Sequence, residues 1–209
     1  MRLRAEALRR LLPACCGALL LAGCVTTRVS HELLAVPAQE ALLRGLAGFR
    51  LNGRAAVRAG DEGFNATLSW QQRLARSEVR LSGPVGAGGV TLDYGPGSLS
   101  VTTSRGEQLK DDQAEQQVSG QLGFVPPFDA LRYWVLGLTA PGEPAMEVVT
   151  GGTGRIAEMT QQGWHIRYDR WTEQATPAGA VRLPQRLTAT RDDLRLRLVV
   201  DRWKLRVTD

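Results

Sequence analysis

The sequence is poor in the side chains that hold metal ions or transfer protons. Its 209 residues include two histidines, His31 and His165, and three cysteines. Neither histidine has a neighbouring His, Cys or carboxylate cluster, so a metal site lacks a ligand set. His165 lies between Trp164 and Ile166, where alternation places it on the polar face of a strand. We expect no metal, no cofactor and no catalytic centre; a cell-envelope hydrolase would need His165 beside a nucleophile in a cleft.

Excess positive charge is also small once the N-terminus is set aside. The formal net charge is +5, but residues 1–23 hold four arginines and one glutamate, which leaves 22 basic and 20 acidic residues in the remainder. Nucleic-acid binding needs concentrated basic charge to displace counterions from the phosphates. The chain is 43% hydrophobic, and we expect one globular domain that does not bind nucleic acid.

The one long apolar run is N-terminal and too short to span a bilayer. It covers residues 11–21 after an arginine-rich start, whereas a membrane helix needs roughly 20 residues. This order is typical of a bacterial secretory signal. The run ends in Leu21-Ala22-Gly23-Cys24, which resembles the lipobox of bacterial lipoproteins. We expect residues 1–23 to be removed and Cys24 to carry lipid; the alternative is a secretory signal with an incidental cysteine.

Loss of the signal would remove two of the three cysteines. Cys15 and Cys16 leave with it, so the mature chain can form no internal disulfide.

Val25 follows the lipobox; in bacterial lipoproteins an aspartate there commonly means retention in the inner membrane, so valine favours the outer membrane. Residues 24–37 are predicted to be the lipidated N-terminus and a tether, and residues 38–209 the folded domain.

Hydropathy alternates with a period of two along most of that domain. Phe64, Ala66, Leu68 and Trp70 share one face of a predicted strand. Turn residues such as Gly95-Pro96-Gly97 separate such segments, as in antiparallel hairpins. The alternation predicts strands near residues 64–70, 79–81, 90–94, 99–101, 155–160, 164–168, 183–189 and 194–200.

Three segments change to a helical period. Residues 37–48 suit a short helix with proline in its first turn and glycine just past its end. Asp111 or Asp112 can cap a second helix. The apolar stripes of the second and third helices are Ala114, Val118 and Leu122, then Leu131, Trp134, Val135 and Leu138.

The last strand carries a phase change. Its apolar residues are even-numbered up to Val200 and odd-numbered from Trp203, which predicts a bulge near Asp201. In total the sequence predicts a mainly β protein with some helix: about ten or eleven strands in one antiparallel sheet. So many strands tend to curl and leave a cavity unless something fills it. The helical pair can cover the opening.

The glycine-rich segment at residues 83–89 connects two predicted strands. It is not a phosphate-binding loop, because no Lys-Ser or Lys-Thr pair and no helix follow it. Val85, between Pro84 and Gly86, has no nearby side chain to cover it. Single exposed apolar residues are common, but an apolar residue at a loop tip is also typical of membrane contact. Both interpretations remain open at this point.

Several short motifs in a fixed order resemble the LolB family, outer-membrane lipoproteins that receive other lipoproteins from the periplasmic carrier LolA and insert them into the outer membrane. The resemblance covers the chain from about residue 38. The motifs are the lipobox at Cys24, Gly53-Arg54 opening a strand, Leu68-Ser69-Trp70-Gln71, residues 81–86 and 131–138, Gln162-Gly163-Trp164 with Tyr168, Leu183-Pro184, and Asp201-Arg202-Trp203.

The resemblance implies an unclosed β-barrel with a helical lid and an apolar interior for acyl chains. It also implies that Pro84, Val85 and Gly86 form the loop that enters the membrane, where the family typically has leucine in place of Val85. The implied partners are LolA, the acyl chains of lipoprotein cargo and outer-membrane phospholipid, and the implied state is a monomer on the periplasmic face of the outer membrane.

Inward-facing apolar residues of this fold are candidates for the acyl cavity. They are Leu68, Trp70, Leu81, Leu92, Leu99, Val101, Leu131, Trp134, Leu138, Trp164, Ile166 and Leu196. An alternative of another class is a structural lipoprotein whose barrel is filled by its own side chains and carries no ligand. The size of the cavity distinguishes the two hypotheses.

Overall fold

The computed structural model describes residues 32–83 and 88–207. The described residues form one compact unit. The elements in chain order are α1 Val36–Arg44, β1 Gly48–Ala59, β2 Glu62–Arg73, β3 Arg76–Ser82, β4 Gly89–Gly95, β5 Ser98–Thr103, β6 Gln108–Lys110, α2 Asp111–Leu122, α3 Phe128–Trp134, β7 Met146–Thr150, β8 Ile156–Gln161, β9 Trp164–Thr176, β10 Gly179–Arg191 and β11 Leu194–Arg206.

The eleven strands form one antiparallel sheet in the order β6-β5-β4-β3-β2-β1-β11-β10-β9-β8-β7. The first and last strands pair in its middle. The two edges, β6 and β7, are consecutive in the chain, and the connection between them contains α2 and α3. The helical pair therefore sits where the sheet is unclosed. This confirms the predicted fold class and the place of the helices in it.

The bulge predicted near Asp201 is present. Asn52 of β1 is opposite Arg202, but the next residue, Gly53, is opposite Val200, so Asp201 is the extra residue of β11. Val200 and Trp203 on either side of it are both buried. A single inserted residue thus lets apolar side chains of both phases face the same core.

The β7–β9 side of the interior is filled by side chains of the helical connection. Trp134 of α3 and Trp164 of β9 are fully buried. The Tyr168 hydroxyl donates to the backbone oxygen of Trp134 at 2.9 Å, and burial raises the pKa of Tyr168. Gln161, 1% exposed, holds the segment that follows α3 with four hydrogen bonds. This half of the molecule has a densely packed core.

The segment ahead of the sheet is also docked. Leu33 forms a parallel bridge with Ala180 at the start of β10, and Leu34 N–H donates to the Ala180 oxygen at 2.9 Å. Gln39 of α1 is buried and exchanges hydrogen bonds with both backbone groups of Arg182. Residues 32–37, at the end of the predicted tether, thus lie against the sheet.

Several predicted boundaries were wrong. The first helix ends at Arg44 with Gly45 after it, and Gly48 already belongs to β1, so Gly53 lies inside that strand. Leu138 lies beyond the end of α3. Neither Asp111 nor Asp112 caps α2: the first residue outside this helix is Lys110, and Asp111 Oδ1 instead accepts a 3.5 Å bond from Leu99 N–H. Strands β6 and β7 had not been predicted.

Gly137, in the turn after α3, is a position where only glycine fits. Its φ is +78°, and a Cβ there would lie 2.6 Å from Trp171. Gly137→Ala is expected to lower the free energy of unfolding by about 2 kcal/mol through backbone strain and this overlap. Gly142→Ala is the control, since φ there is +94° with nothing within 4 Å of the added carbon. Equal urea-denaturation midpoints for the two variants would contradict the proposed overlap.

Candidate functional site

An open cleft of about 640 Å³ lies between α2 and strands β2 to β5. This volume is within the range of roughly 300–1,000 Å³ found for small-molecule sites. Its apolar lining residues are Phe64, Ala66, Leu81, Val90, Leu92, Val101, Val118 and Leu122. Its polar and glycine lining residues are Asn65, Gly83, Gly88, Gly89, Thr103, Ser104, Arg105, Glu107, Gln117 and Gln121.

The floor of the cleft is built by strand register. Leu81 of β3 is directly opposite Val90 of β4, and Leu92 is directly opposite Val101 of β5. Directly opposite residues point to the same face of a sheet, so these four side chains form a continuous apolar surface. Most polar lining residues come from the β5–β6 turn and from α2, and two, Asn65 and Thr103, come from strands. The cleft therefore has an apolar floor and a partly polar rim.

Helix α2 covers the cleft and is held mainly by apolar contacts. Ala114 and Val118 are its buried residues. Among the described residues, the only hydrogen bond from an α2 side chain to the rest of the protein is that of Asp111. Elements with few buried contacts open at low free-energy cost. Helix α2 therefore has little besides apolar packing to hold it over the cleft.

A second cavity of about 540 Å³ continues along α2 toward its C-terminal end. Val57, Ala59 and Gly63 contribute to its lining. It shares Phe64, Gln121 and Leu122 with the first cleft. Phe64 and Leu122 are only half-buried, so the boundary between the two cavities includes two partly exposed apolar side chains. An elongated ligand can extend from one cavity into the other if these side chains change rotamer.

One end of the cleft borders the base of the loop predicted to meet the membrane. Gly83 and Gly88 line the cleft, and Gly83 N–H donates to the Gly88 oxygen at 3.2 Å, which closes the base of the β3–β4 connection. Pro84, Val85 and Gly86 lie outside the described residues, as does Cys24. Their predicted roles remain predictions, but the loop that contains Val85 starts and ends at the cleft.

Three of the twelve predicted cavity residues line the cleft: Leu81, Leu92 and Val101. The other nine belong to the core away from it. They are Leu68, Trp70, Leu99, Leu131, Trp134, Leu138, Trp164, Ile166 and Leu196. Contact of any of the twelve with an acyl chain remains a prediction.

The cleft also includes residues that had not been predicted as cavity residues. Phe64 and Ala66 had been assigned to the inward face of a strand, and Val118 and Leu122 to the apolar stripe of a helix. Only Ala114 and Val118 of that stripe are buried, whereas Leu122 is half-exposed. One pattern could have identified these positions. It is an apolar helix stripe that is not completely buried and that lies opposite an alternating strand.

The second helix of the pair is attached to the strand that bears part of the cleft floor. Tyr94 of β4 donates a 2.5 Å hydrogen bond to Asp129 and stacks on Phe128 with 5.0 Å between ring centroids. Burial, and then the bond to Asp129, raise the pKa of Tyr94 to about 12. The phenol is therefore a neutral donor at physiological pH, and it keeps the start of α3 on the sheet.

The remaining titratable candidate is on the surface. His165 is exposed, and its Nε2 lies 3.5 Å from Glu158 Oε2, a partner on the neighbouring strand that sequence reasoning missed. No grouping of three His, Cys, Asp or Glu side chains suited to a metal ion occurs in residues 32–83 and 88–207. Within the same ranges, no helix is long and apolar enough to cross a membrane.

Comparisons with known proteins agree on one family. The model of the family described as outer membrane lipoprotein LolB matches residues 47–203. The outer-membrane lipoprotein LolB of Alkalilimnicola ehrlichii is 34% identical over 94% of this chain and 97% of its own length. That of Nitrosococcus oceani is 34% identical over 90% of this chain and 93% of its own.

A solved outer-membrane lipoprotein-sorting domain from Vibrio parahaemolyticus shares the fold, with a TM-score of 0.50 at 6% identity over 81% of this chain and 89% of that chain. The family match covers most of the sequence, including every strand that lines the cleft. The chain therefore belongs to the LolB family, and it is an outer-membrane lipoprotein of lipoprotein localisation rather than an enzyme, as the resemblance implies.

Proposed function

We propose that this protein accepts the acyl chains of lipoproteins from the periplasmic carrier LolA in the cleft beneath α2 and inserts them into the inner leaflet of the outer membrane. The observation that carries the proposal is the cleft itself, a space of about 640 Å³ with an apolar floor that borders the β3–β4 loop. A barrel filled entirely by its own side chains, the alternative, would leave no such space.

The energetics require a shielded transfer. A lipoprotein with three acyl chains of about sixteen carbons each would lose tens of kcal/mol in water, at about 0.8 kcal/mol for each CH₂ group. Each transfer must therefore proceed from one apolar environment directly to another, toward higher affinity. An open cleft suits a protein that holds the cargo only between the carrier and the membrane, because a fully enclosed and tightly packed cavity would bind the cargo too firmly to release it.

Reception is proposed to begin with movement of α2. This helix is attached by Ala114 and Val118 rather than by a hydrogen-bond network, so an incoming acyl chain can replace its contacts with similar ones. The segment after α3 stays in place because Gln161 holds it. One half of the protein thus acts as a movable cover and the other as a fixed support.

Delivery is proposed to occur through the loop at residues 84–87. Insertion of Val85 into the bilayer would bring the cleft, which includes both ends of this loop, to the membrane surface. Valine buries one methylene less than the leucine typical of the family, which weakens insertion by about 0.8 kcal/mol. Acylated Cys24 would keep the protein, as a monomer, at the outer-membrane phospholipid where release takes place.

The experiment that tests this function follows a labelled lipoprotein from loaded LolA to the protein and then into liposomes, with crosslinking at each stage. Val85→Glu is expected to leave crosslinking to the cargo unchanged and to slow delivery into liposomes about tenfold, because a carboxylate opposes insertion. Val85→Leu is the matched control and should deliver at least as fast as the parent. Equal delivery by all three proteins would remove the loop from the mechanism, and failure of the parent to take up cargo would refute the function.

A further inference from the structure

A cluster of positive charge lies at one end of the sheet, away from the cleft. Arg50 of β1, Arg73 of β2, and Lys204 and Arg206 of β11 line a shallow cavity of about 250 Å³, and no carboxylate occurs among its described lining residues. All four are exposed. Among the described residues, none of the four takes part in an ion pair. We call these four residues the basic cluster.

The register places these like charges on three adjacent strands at the same end of the sheet. Lys204 is the cross-strand partner of Arg50, and Arg206 and Arg73 are the partners of Gly48 on its two sides. Like charges directly opposite each other on a sheet destabilise it. Gly48 has no side chain that could separate Arg73 from Arg206, and a Cβ there would lie 2.2 Å from the Gln72 oxygen. The fold thus concentrates positive charge at a cost in stability, which an anionic partner would offset.

The chain enters the domain at this same end. Strands β10 and β11 are antiparallel neighbours, so the start of β10 lies at the end of the sheet where β11 finishes with Arg206. Glu32 and Leu34 are bound there to Ala180. Only residues 25–31 separate Glu32 from Cys24, a reach of about 28 Å when fully extended. If Cys24 is acylated, as proposed above, Glu32 lies within about 28 Å of the bilayer surface, and the basic cluster is at the same end of the sheet as Glu32.

An exposed apolar side chain borders the cluster. Leu74, next to Arg73 in the β2–β3 turn, is 74% exposed and has a φ of +50°. Its conformation is fixed by its own backbone groups: Leu74 N–H donates to Ala47, and its oxygen accepts from Gln72. An apolar residue beside exposed cations is typical of surfaces that lie at the headgroup level of a membrane. This feature favours a lipid surface over an acidic protein.

We propose that the basic cluster, with Leu74 at its border, is a docking surface for the anionic phospholipid headgroups of the membrane in which the protein is anchored. The cluster and the Val85 loop lie at opposite ends of β3, so docking through the cluster and insertion of the loop are successive contacts with the membrane. The proposal rests on the proposed acylation of Cys24 in one respect only, the argument from the length of chain between Cys24 and Glu32. The charges themselves act without the anchor.

The test measures binding of the chain from Val25, which has no acyl anchor but contains the whole compact unit, to phosphatidylethanolamine vesicles with and without phosphatidylglycerol. Because each basic residue near an anionic surface contributes about a fivefold gain in affinity, Arg73→Gln/Lys204→Gln should bind the anionic vesicles about 25-fold more weakly. Added salt should remove the difference. Leu74→Asn, which keeps a residue that tolerates positive φ, should weaken binding severalfold at any salt concentration.

The matched control is Arg58→Gln/Arg195→Gln, which removes the same charge from an exposed cross-strand pair at the other end of β1 and β11. Unfolding by urea checks that all variants are folded. The proposal is overturned if the control loses as much affinity as the cluster variant, or if the cluster variant binds vesicles normally and instead loses crosslinking to LolA. Since no cargo is present, failure here is distinct from failure to accept lipoproteins.

Discussion

Replacing Gln161 by leucine is expected to lower the free energy of unfolding by about 4 kcal/mol, because each buried polar group left without a partner costs about 1–3 kcal/mol. The Gln161 Oε1 atom accepts from Trp134 Nε1 at 2.8 Å and from Ala140 N–H at 2.9 Å. Its Nε2 donates to the Ala140 oxygen at 2.8 Å and to the Glu143 oxygen at 2.7 Å. The amide uses its full hydrogen-bonding capacity, and leucine would satisfy none of the four partners.

The measurement is urea denaturation followed by circular dichroism. Gln116→Leu is the matched control: the same replacement at an exposed position of α2, where surface substitutions usually change stability by less than about 0.5 kcal/mol. A loss below about 1 kcal/mol for Gln161→Leu would mean that the segment after α3 is held by apolar packing alone. The division of the molecule into a fixed support and a movable cover would then lose its main argument.

Much of the fold could be predicted from local patterns. Alternation identified most strands that have one buried face, and the switch of phase between Val200 and Trp203 located the bulge at Asp201. Strands β6 and β7 were not predicted, and the reason is physical. Strand β6 has only three residues, too few for its alternation to be recognised, and every residue of β7 is exposed, so β7 has no buried face.

The site was harder to predict than the fold, because a core residue and a cavity residue have the same sequence signal. Leu68 and Leu81 are direct cross-strand partners and face the same side of the sheet. Leu81 lines the cleft, while Leu68 is buried in the core. Alternation shows which face of the sheet a side chain belongs to, but not whether the space above it is filled, because that depends on packing far away in sequence. Gln161 is a further example, since a glutamine at a strand end has no pattern that marks it as buried.

The largest expected effect on function comes from Leu81→Glu in the cleft floor. A carboxylate here would lose its hydration when an acyl chain enters, at a cost of about 3 kcal/mol, or about 100-fold in Kd. Leu81 is only half-buried before the ligand binds, so the new charge can remain hydrated in the free protein and folding should be little affected. Titration with a fluorescent fatty-acyl probe measures the loss directly.

Two controls distinguish the effect of the new charge on affinity from the effect of the changed side-chain shape at this position. Leu81→Met keeps an apolar side chain of similar volume and should bind the probe within about threefold of the parent. Lowering the pH toward about 4, near the ordinary pKa of glutamate, should restore part of the affinity of Leu81→Glu because the neutral carboxyl is cheaper to bury. Full affinity of Leu81→Glu at neutral pH would exclude the floor of this cleft as the acyl site. It would direct attention to the second cavity, beyond Phe64 and Leu122, as the space that holds the chain.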